Sequence, residues 1–192
     1  MASSCGRCGE SLPVAGRGRV PKYCSTRCRV AAHRDRHRVP RELVERDRWV
    51  RRSRKKVPLT TVGRAASSTD PGTWCSYGEA RASKAGVGLG FVLNGDGIAC
   101  IDLDDCLDGD RVAPWAQDIL DRLPPTWIQV SASGRGLHVW GLARVERGRK
   151  LRTGDRKIEV YGDMRYMAIT GRTFGDMPRR LADISEAVAS LL

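Results

Sequence analysis

A chain of 192 residues, 41% of them hydrophobic, has room for one ordinary domain and a small appendage and can build a core. No apolar run approaches the roughly 18 residues of a membrane span, and "MASSCGRCGE" lacks the apolar centre of a signal peptide, so the expected setting is the cytoplasm, with no membrane partner. The net charge of +12 is confined: residues 1–56 hold 17 Lys/Arg against 5 Asp/Glu, whereas residues 57–192 hold 17 of each.

A basic arm suits a nucleic acid, because Lys and Arg that neutralise phosphates release condensed counterions; a solubilising tail is the plainer alternative. The cysteines of the arm favour the first reading. In a reducing compartment cysteines bind metal, do chemistry or pack. Cys5 and Cys8 are separated by two residues, Cys24 and Cys28 by three, and fifteen residues lie between the pairs. That spacing predicts four thiolates around a structural Zn²⁺, which would fold a segment too small to own a core. A basic helix follows in "STRCRVAAHRDRHR", where His33 and His37, four apart, could replace a cysteine ligand but read rather as surface residues beside phosphates. The stretch resembles the small treble-clef-like zinc fingers that end in "YCSxxCRxAAxR", a likeness that implies DNA binding or a partner contact.

Residues 1–38 are thus expected to be a zinc-finger module, 39–56 a basic helical linker, and 57–192 the main domain. "LTTVGRAASSTDPGTW" reads as loop, and Ser76 is placed to cap a short helix over "YGEARASKAG". "GVGLGFVL" and "IACIDLD" read as two strands joined by a hairpin through "NGDG". Alternation puts Ile98, Cys100, Asp102 and Asp104 on one face and Ala99, Ile101 and Leu103 on the other. Two carboxylates about 7 Å apart along a rigid strand repel unless protonated or neutralised by a cation. Oxygen ligands suit Mg²⁺ or Mn²⁺. A helix cap or solvated loop is the bland alternative. A calcium loop fails on spacing: counted from Asp102, Leu107 falls where glycine is required, and counted from Asp104, Trp115 replaces the bidentate Glu.

"TWIQVSASGRGLHVWG" predicts a second hairpin, whose small residues Ser133, Gly134 and Gly136 let backbone amides approach an anion, with Arg135 at the tip and His138 on the returning strand. "RKIEVYGDMRYMAITGR" predicts a third, with Glu159 opposite the apolar face of Ile158 and Val160. A salt bridge from Glu159 to Arg165 or Lys157 is the plainer reading. The closing segment "LADISEAVASLL" reads as a helix whose Leu181, Ile184, Val188 and Leu191 pack on the sheet.

The ordered set "CIDLD", "SGRGLHVW", "IEVY" and "RYMAITG" resembles the archaeo-eukaryotic primase superfamily, in particular the primase-polymerase domains of phages and plasmids. The resemblance implies an α+β fold, a mixed or antiparallel sheet of hairpins with flanking helices. It implies template-dependent nucleotidyl transfer, with two Mg²⁺ or Mn²⁺ ions on Asp102, Asp104 and Glu159. Ser133, Gly134, Arg135, Gly136 and His138 would bind the triphosphate, with Arg165 and Arg172 as weaker contacts. Implied partners are a DNA template, nucleoside triphosphates and a separately encoded helicase. Two other classes stay open: a non-catalytic DNA-binding or replication-accessory protein that uses the zinc module, and a metal-dependent nuclease.

Overall fold

The structure is a computed structural model that describes residues 5, 10–12, 21–35 and 39–192, and the chain divides into two compact units, Met1–Arg38 and Val39–Leu192. In the first, helix α1 (Thr26–Asp35) begins behind Ser25, whose Oγ accepts from the Cys28 amide at 3.1 Å. That bond satisfies one of the donors every helix start leaves open.

The second unit runs α2 (Arg41–Val44), β1 (Trp49–Arg52), β2 (Pro58–Leu59), α3 (Tyr77–Ala82), β3 (Gly88–Leu93), β4 (Ile98–Asp104), β5 (Leu107–Asp108), β6 (Arg111–Val112), α4 (Pro114–Leu120), β7 (Ile128–Val130), β8 (Leu137–Leu142), β9 (Arg149–Thr153), β10 (Arg156–Tyr161), β11 (Arg165–Ile169) and α5 (Ser185–Leu191). The strands build a four-stranded sheet, order β11-β3-β1-β2, a five-stranded sheet, order β7-β8-β4-β10-β9, and a short β5–β6 ladder. Every named pairing is antiparallel, so the unit is α+β with few helices.

Strand β4 sets the layering. Its Ala99, Ile101 and Leu103 face a core shared with Ala116 of α4 and Val188 of α5. Its Ile98 and Cys100 face a second core containing Trp49, Phe91 and Leu93 of the other sheet, together with Trp127 and Trp140. Each large side chain so buried contributes roughly 1.5–3 kcal/mol. The five-stranded sheet therefore has helices on one face and the second sheet on the other. Along the second face the residues turn from Ile98 and Cys100, fully buried, to Asp102 and Asp104, half-buried.

Two of the expected hairpins are not hairpins. The segments 94–97 and 162–164 each carry the chain from one sheet into the other: β3 pairs with β11, and β4 with β10. The four strands make one bent antiparallel ribbon that spans both sheets, and the Gly95 amide donates to the Gly162 carbonyl at 2.9 Å where the crossings meet. The first crossing is fixed by its polar side chains rather than by a tight turn. Asp96 Oδ2 binds Arg48 Nη2 at 2.7 Å and Arg46 Nε at 2.8 Å, and Asn94 Oδ1 accepts from Arg48. The expected β7–β8 hairpin does form, and β10 finds its hairpin partner in β9.

Residues 39–56 also differ from the helical linker expected of them. Only α2 is helical; β1 enters the four-stranded sheet with Trp49 and Val50 fully buried, and Trp49 Nε1 donates to the Leu43 carbonyl at 3.0 Å. Ser76 caps α3 in a reciprocal capping box with Glu79. The last helix starts only at Ser185, so Leu181 packs in one core and Ile184 and Val188 in the other. Among the described residues no helix is long and apolar enough to cross a membrane.

Candidate active site

Gln129 on β7, His138 on β8, Asp102 on β4, Glu159 on β10 and Lys150 on β9 stand directly opposite one another in turn. Directly opposed residues share a face, so five polar side chains form one row across the whole five-stranded sheet. Asp104, two residues beyond Asp102, lies on the same face. Asp102, Asp104, His138 and Glu159 line an open cleft of about 450 Å³. Met164 and the β11 residues Arg165, Tyr166, Met167 and Ala168 form its other side, with Lys56, Pro58 and Ser68 completing the lining. The cleft is the place where the two sheets stop covering each other, which is why a core strand can end in carboxylates.

The charges in the row are unevenly satisfied. Asp102 Oδ1 is buried without a hydrogen-bond partner, and His138 Nε2 stands 3.5 Å from it. Burial, then the negative charges of Asp104 and Glu159, push the Asp102 carboxyl up to about 7, against the pull of Lys56 and Arg165. His138 is 5% exposed, and burial, helped by Lys56, lowers its imidazole to about 4, so the ring is neutral at physiological pH. Glu159 is better served. Its carboxylate takes Lys150 Nζ at 2.8 Å, the Tyr161 hydroxyl at 2.7 Å and Arg165 Nη2 at 3.4 Å. Burial works against its ionised form, but these donors outweigh burial and hold it below the ordinary glutamate value. The Arg165 guanidinium is also stacked over Tyr161, 4.4 Å from the ring centroid.

The Ser-Gly-Arg-Gly turn sits beside the end of β4 without lining the cleft. It is closed by the Ser131 amide donating to the Gly136 carbonyl at 2.8 Å, and Ser131 Oγ lies 3.0 Å from Ser133 Oγ. Gly136 presses on the Leu103 carbonyl so closely that a Cβ would come within 2.7 Å of it, and Gly134 takes a φ of +80°. Both positions require glycine. Arg135, its side chain 70% exposed, pairs with Asp105 at 2.7 Å, and Lys157 binds the same carboxylate at 2.7 Å. Arg172 is exposed and outside the cleft lining. Of the expected nucleotide contacts, the structure brings His138 and Arg165 into the cleft and leaves Ser133, Gly134, Arg135 and Gly136 at its edge. The plainer reading of Glu159 is realised alongside: it does pair with Arg165, though its second cation is Lys150 rather than Lys157.

A divalent cation fits this donor set. Two carboxylates on one strand and a third directly across from it leave a buried oxygen unpaired and one pKa strongly raised, a conflict that a hard cation with oxygen ligands would relieve. Asp102 and Asp104 are available for that role, whereas Glu159 would have to share its charge with Lys150 and Arg165. In the first unit, the sulfurs of Cys5, Cys24 and Cys28 lie within 4.8 Å of one another, the only such ligand group among the described residues. Cys24 and Cys28 Sγ are 3.6 Å apart, too far for a disulfide. The Cys24 amide donates to Cys5 Sγ at 3.3 Å, a contact that favours a thiolate. The expected fourth ligand, Cys8, and the side chains of His33 and His37 lie outside the described residues.

Several residues of the site were not anticipated. Lys56 sits in the basic run that resembled a linker, and its φ of +59° is a left-handed conformation that few lysines adopt. Lys150 lies on β9, a strand whose single apolar residue gives no alternation to read. Tyr166 has a buried hydroxyl with no hydrogen-bond partner, and its ring lies where a Cβ on Gly90 would be. Gln129 did leave a signal, as a polar residue between the apolar neighbours of "WIQV".

No protein-family model matches the chain. The chain is similar to a protein named DNA primase-polymerase from Nitratiruptor phage NrS-1, with 35% identity over 154 residues, 75% of this chain and 21% of that protein. The chain thus spans about a fifth of the length of the curated relative it matches.

Proposed function

We propose that the cleft carries out template-dependent nucleotidyl transfer, as a primase-polymerase of the archaeo-eukaryotic type acting in phage or plasmid DNA replication in a bacterial cytoplasm. The observation that carries this reading is the buried, unpartnered Asp102 Oδ1 in a row of carboxylates facing a cleft with cationic walls. The 35% identity to a protein named DNA primase-polymerase supports it. A 3′-hydroxyl oxygen bonds to the α-phosphorus of a nucleoside triphosphate and gives up its proton to water, the bond from that phosphorus to the β-bridging oxygen breaks, and pyrophosphate leaves with the electron pair. Asp102, Asp104 and Glu159 would hold two Mg²⁺ or Mn²⁺ ions, which supply Lewis acidity at the hydroxyl and at the leaving group.

The remaining work belongs to the chain's own side chains. Lys56 and Arg165 balance the triphosphate charge, which grows on the leaving oxygens in the transition state. His138 offers a hydrogen bond to a phosphate oxygen. The stack of Arg165 on Tyr161 fixes its guanidinium, so little order has to be imposed when the substrate binds. Ser133, Gly134, Arg135 and Gly136 reach the triphosphate only where it extends past Asp104. Cys5, Cys8, Cys24 and Cys28 would hold a structural Zn²⁺, and the basic first unit would add affinity for template DNA through phosphate contacts.

The test is incorporation of labelled nucleotides on single-stranded template with Mn²⁺, with and without primer. Asp102→Ala should lose at least about a hundredfold in rate, the scale of removing metal-based charge stabilisation, while DNA affinity stays near wild type. Equal function of wild type and variant in every DNA assay would favour the binding-protein reading. Shortening of labelled DNA with Mg²⁺ and no nucleotides would favour a nuclease. Metal analysis of the same preparation should find one zinc per chain; its absence would remove the zinc assignment.

A further inference from the structure

We infer that Gln129 is a positioning residue that decides which nitrogen of His138 carries the ring proton, placing it on Nε2, the nitrogen that faces Asp102. Gln129 is fully buried. Its Oε1 accepts from the Thr170 amide at 2.9 Å, the Gly171 amide at 3.2 Å and the Thr170 hydroxyl at 3.1 Å. Backbone N–H groups can only donate, so the oxygen end of this side chain is identified without ambiguity. The other end is the NH₂ group. It donates one hydrogen to the Ala168 carbonyl at 2.9 Å and stands 3.0 Å from His138 Nδ1.

An amide N–H aimed at Nδ1 needs a lone pair there, so the single proton of the neutral ring sits on Nε2. Flipping the amide would set its oxygen against the Ala168 carbonyl and its NH₂ against two N–H groups, which leaves buried polar atoms unpaired on both sides. The proton on Nε2 points toward Asp102 Oδ1, 3.5 Å away, in the wall of the cleft. Resting on the nucleotide reading above, this makes His138 a hydrogen-bond donor to a phosphate oxygen and not a base that collects a proton. The same amide ties β7 of one sheet to the end of β11 of the other, so the positioning of His138 depends on how the two sheets meet.

The chain has three histidines, so two-bond ¹H–¹⁵N correlation of the ring nitrogens, with His138 identified by its loss in His138→Asn, reads the tautomer directly. In the wild-type full chain Nδ1 should appear as an unprotonated acceptor and Nε2 as protonated. Gln129→Glu sets a carboxylate against Nδ1 and should move the proton there. With that move, nucleoside triphosphate affinity in Mg²⁺ should fall about tenfold, the loss expected for one hydrogen bond to a charged group. A wild-type ring protonated on Nδ1, or averaging between the two forms, overturns the assignment even if the variant fails to fold. So does a folded Gln129→Glu protein with an unchanged ring pattern. If the tautomer is as stated but nucleotide moves no His138 resonance, the nucleotide reading fails and the positioning role survives.

Discussion

Asp102 is the residue at which the fold and the proposed chemistry pull against each other. Folding buries one of its oxygens without a partner and raises its carboxyl from an ordinary 3.8 to about 7, through burial first and its acidic neighbours second. An acid whose pKa is raised by folding contributes nothing unfavourable below its ordinary value. It costs stability progressively as pH rises from there to the folded value, because the unfolded chain ionises first. Without Mg²⁺ or Mn²⁺, the Asp102 carboxyl should therefore subtract progressively from the stability of the wild type between 3.8 and about 7. Asp102→Asn should escape that loss and melt higher above neutral pH, by on the order of 2 kcal/mol, well under what the full shift would give. A variant that melts at or below wild type in that range would show that the carboxylate is satisfied in a way the geometry does not reveal. A carboxylate that destabilises its own fold is what the proposed cation site would require.

At the scale of elements, the two crossings decide whether a cleft exists at all. A pair of ordinary hairpins would keep β3 with β4 and β10 with β11, and no polar row would meet a second wall. Arg48, its side chain 6% exposed, holds the first crossing through Asp96 and Asn94. Burial opposes the ionised Asp96, but Arg46 and Arg48 outweigh burial and depress its pKa. That contribution is present above the ordinary carboxylate value and is lost as pH falls through the lower folded one. Asp96→Asn should thus cost on the order of 2 kcal/mol at neutral pH in urea unfolding, less than for a fully buried pair, and the gap to wild type should close in acid. An equal gap at both pH values would mean that packing, and not charge, holds the crossing.

Local periodicity made the faces of β4, the Ser131–His138 turn and the Ser76 cap readable. The partners of β3, β4, β10 and β11 were not readable, because Asn-Gly-Asp-Gly carries a hairpin signal in its local chemistry while its Asp96 answers to arginines just before β1. β9 escaped notice for a related reason: an edge strand of basic residues has little buried face to imprint a pattern.

Over the whole molecule, charge proved less cleanly divided than composition alone indicates. The boundary between units lies at Arg38, not at residue 56, so the first unit holds nine Lys/Arg against two Asp/Glu and the second keeps the rest. Much of the charge that resembled an arm works inside the second unit. Arg48 pairs with Asp96, Arg51 donates to the Ala85 and Ala80 carbonyls at 2.6 and 3.1 Å, and Lys56 lines the cleft. The acids, the histidine and the cations come from segments far apart in sequence and meet only because both sheets are built.

Whether that meeting place binds divalent metal with a nucleotide is the central matter. Titration of the full chain with Mn²⁺ in the presence of a non-hydrolysable nucleoside triphosphate, followed by electron paramagnetic resonance, tests it most directly. The account predicts Mn²⁺ bound tightly in wild type and bound far more weakly in Asp102→Ala and Asp104→Ala. Equal Mn²⁺ binding in wild type and both aspartate variants would contradict it.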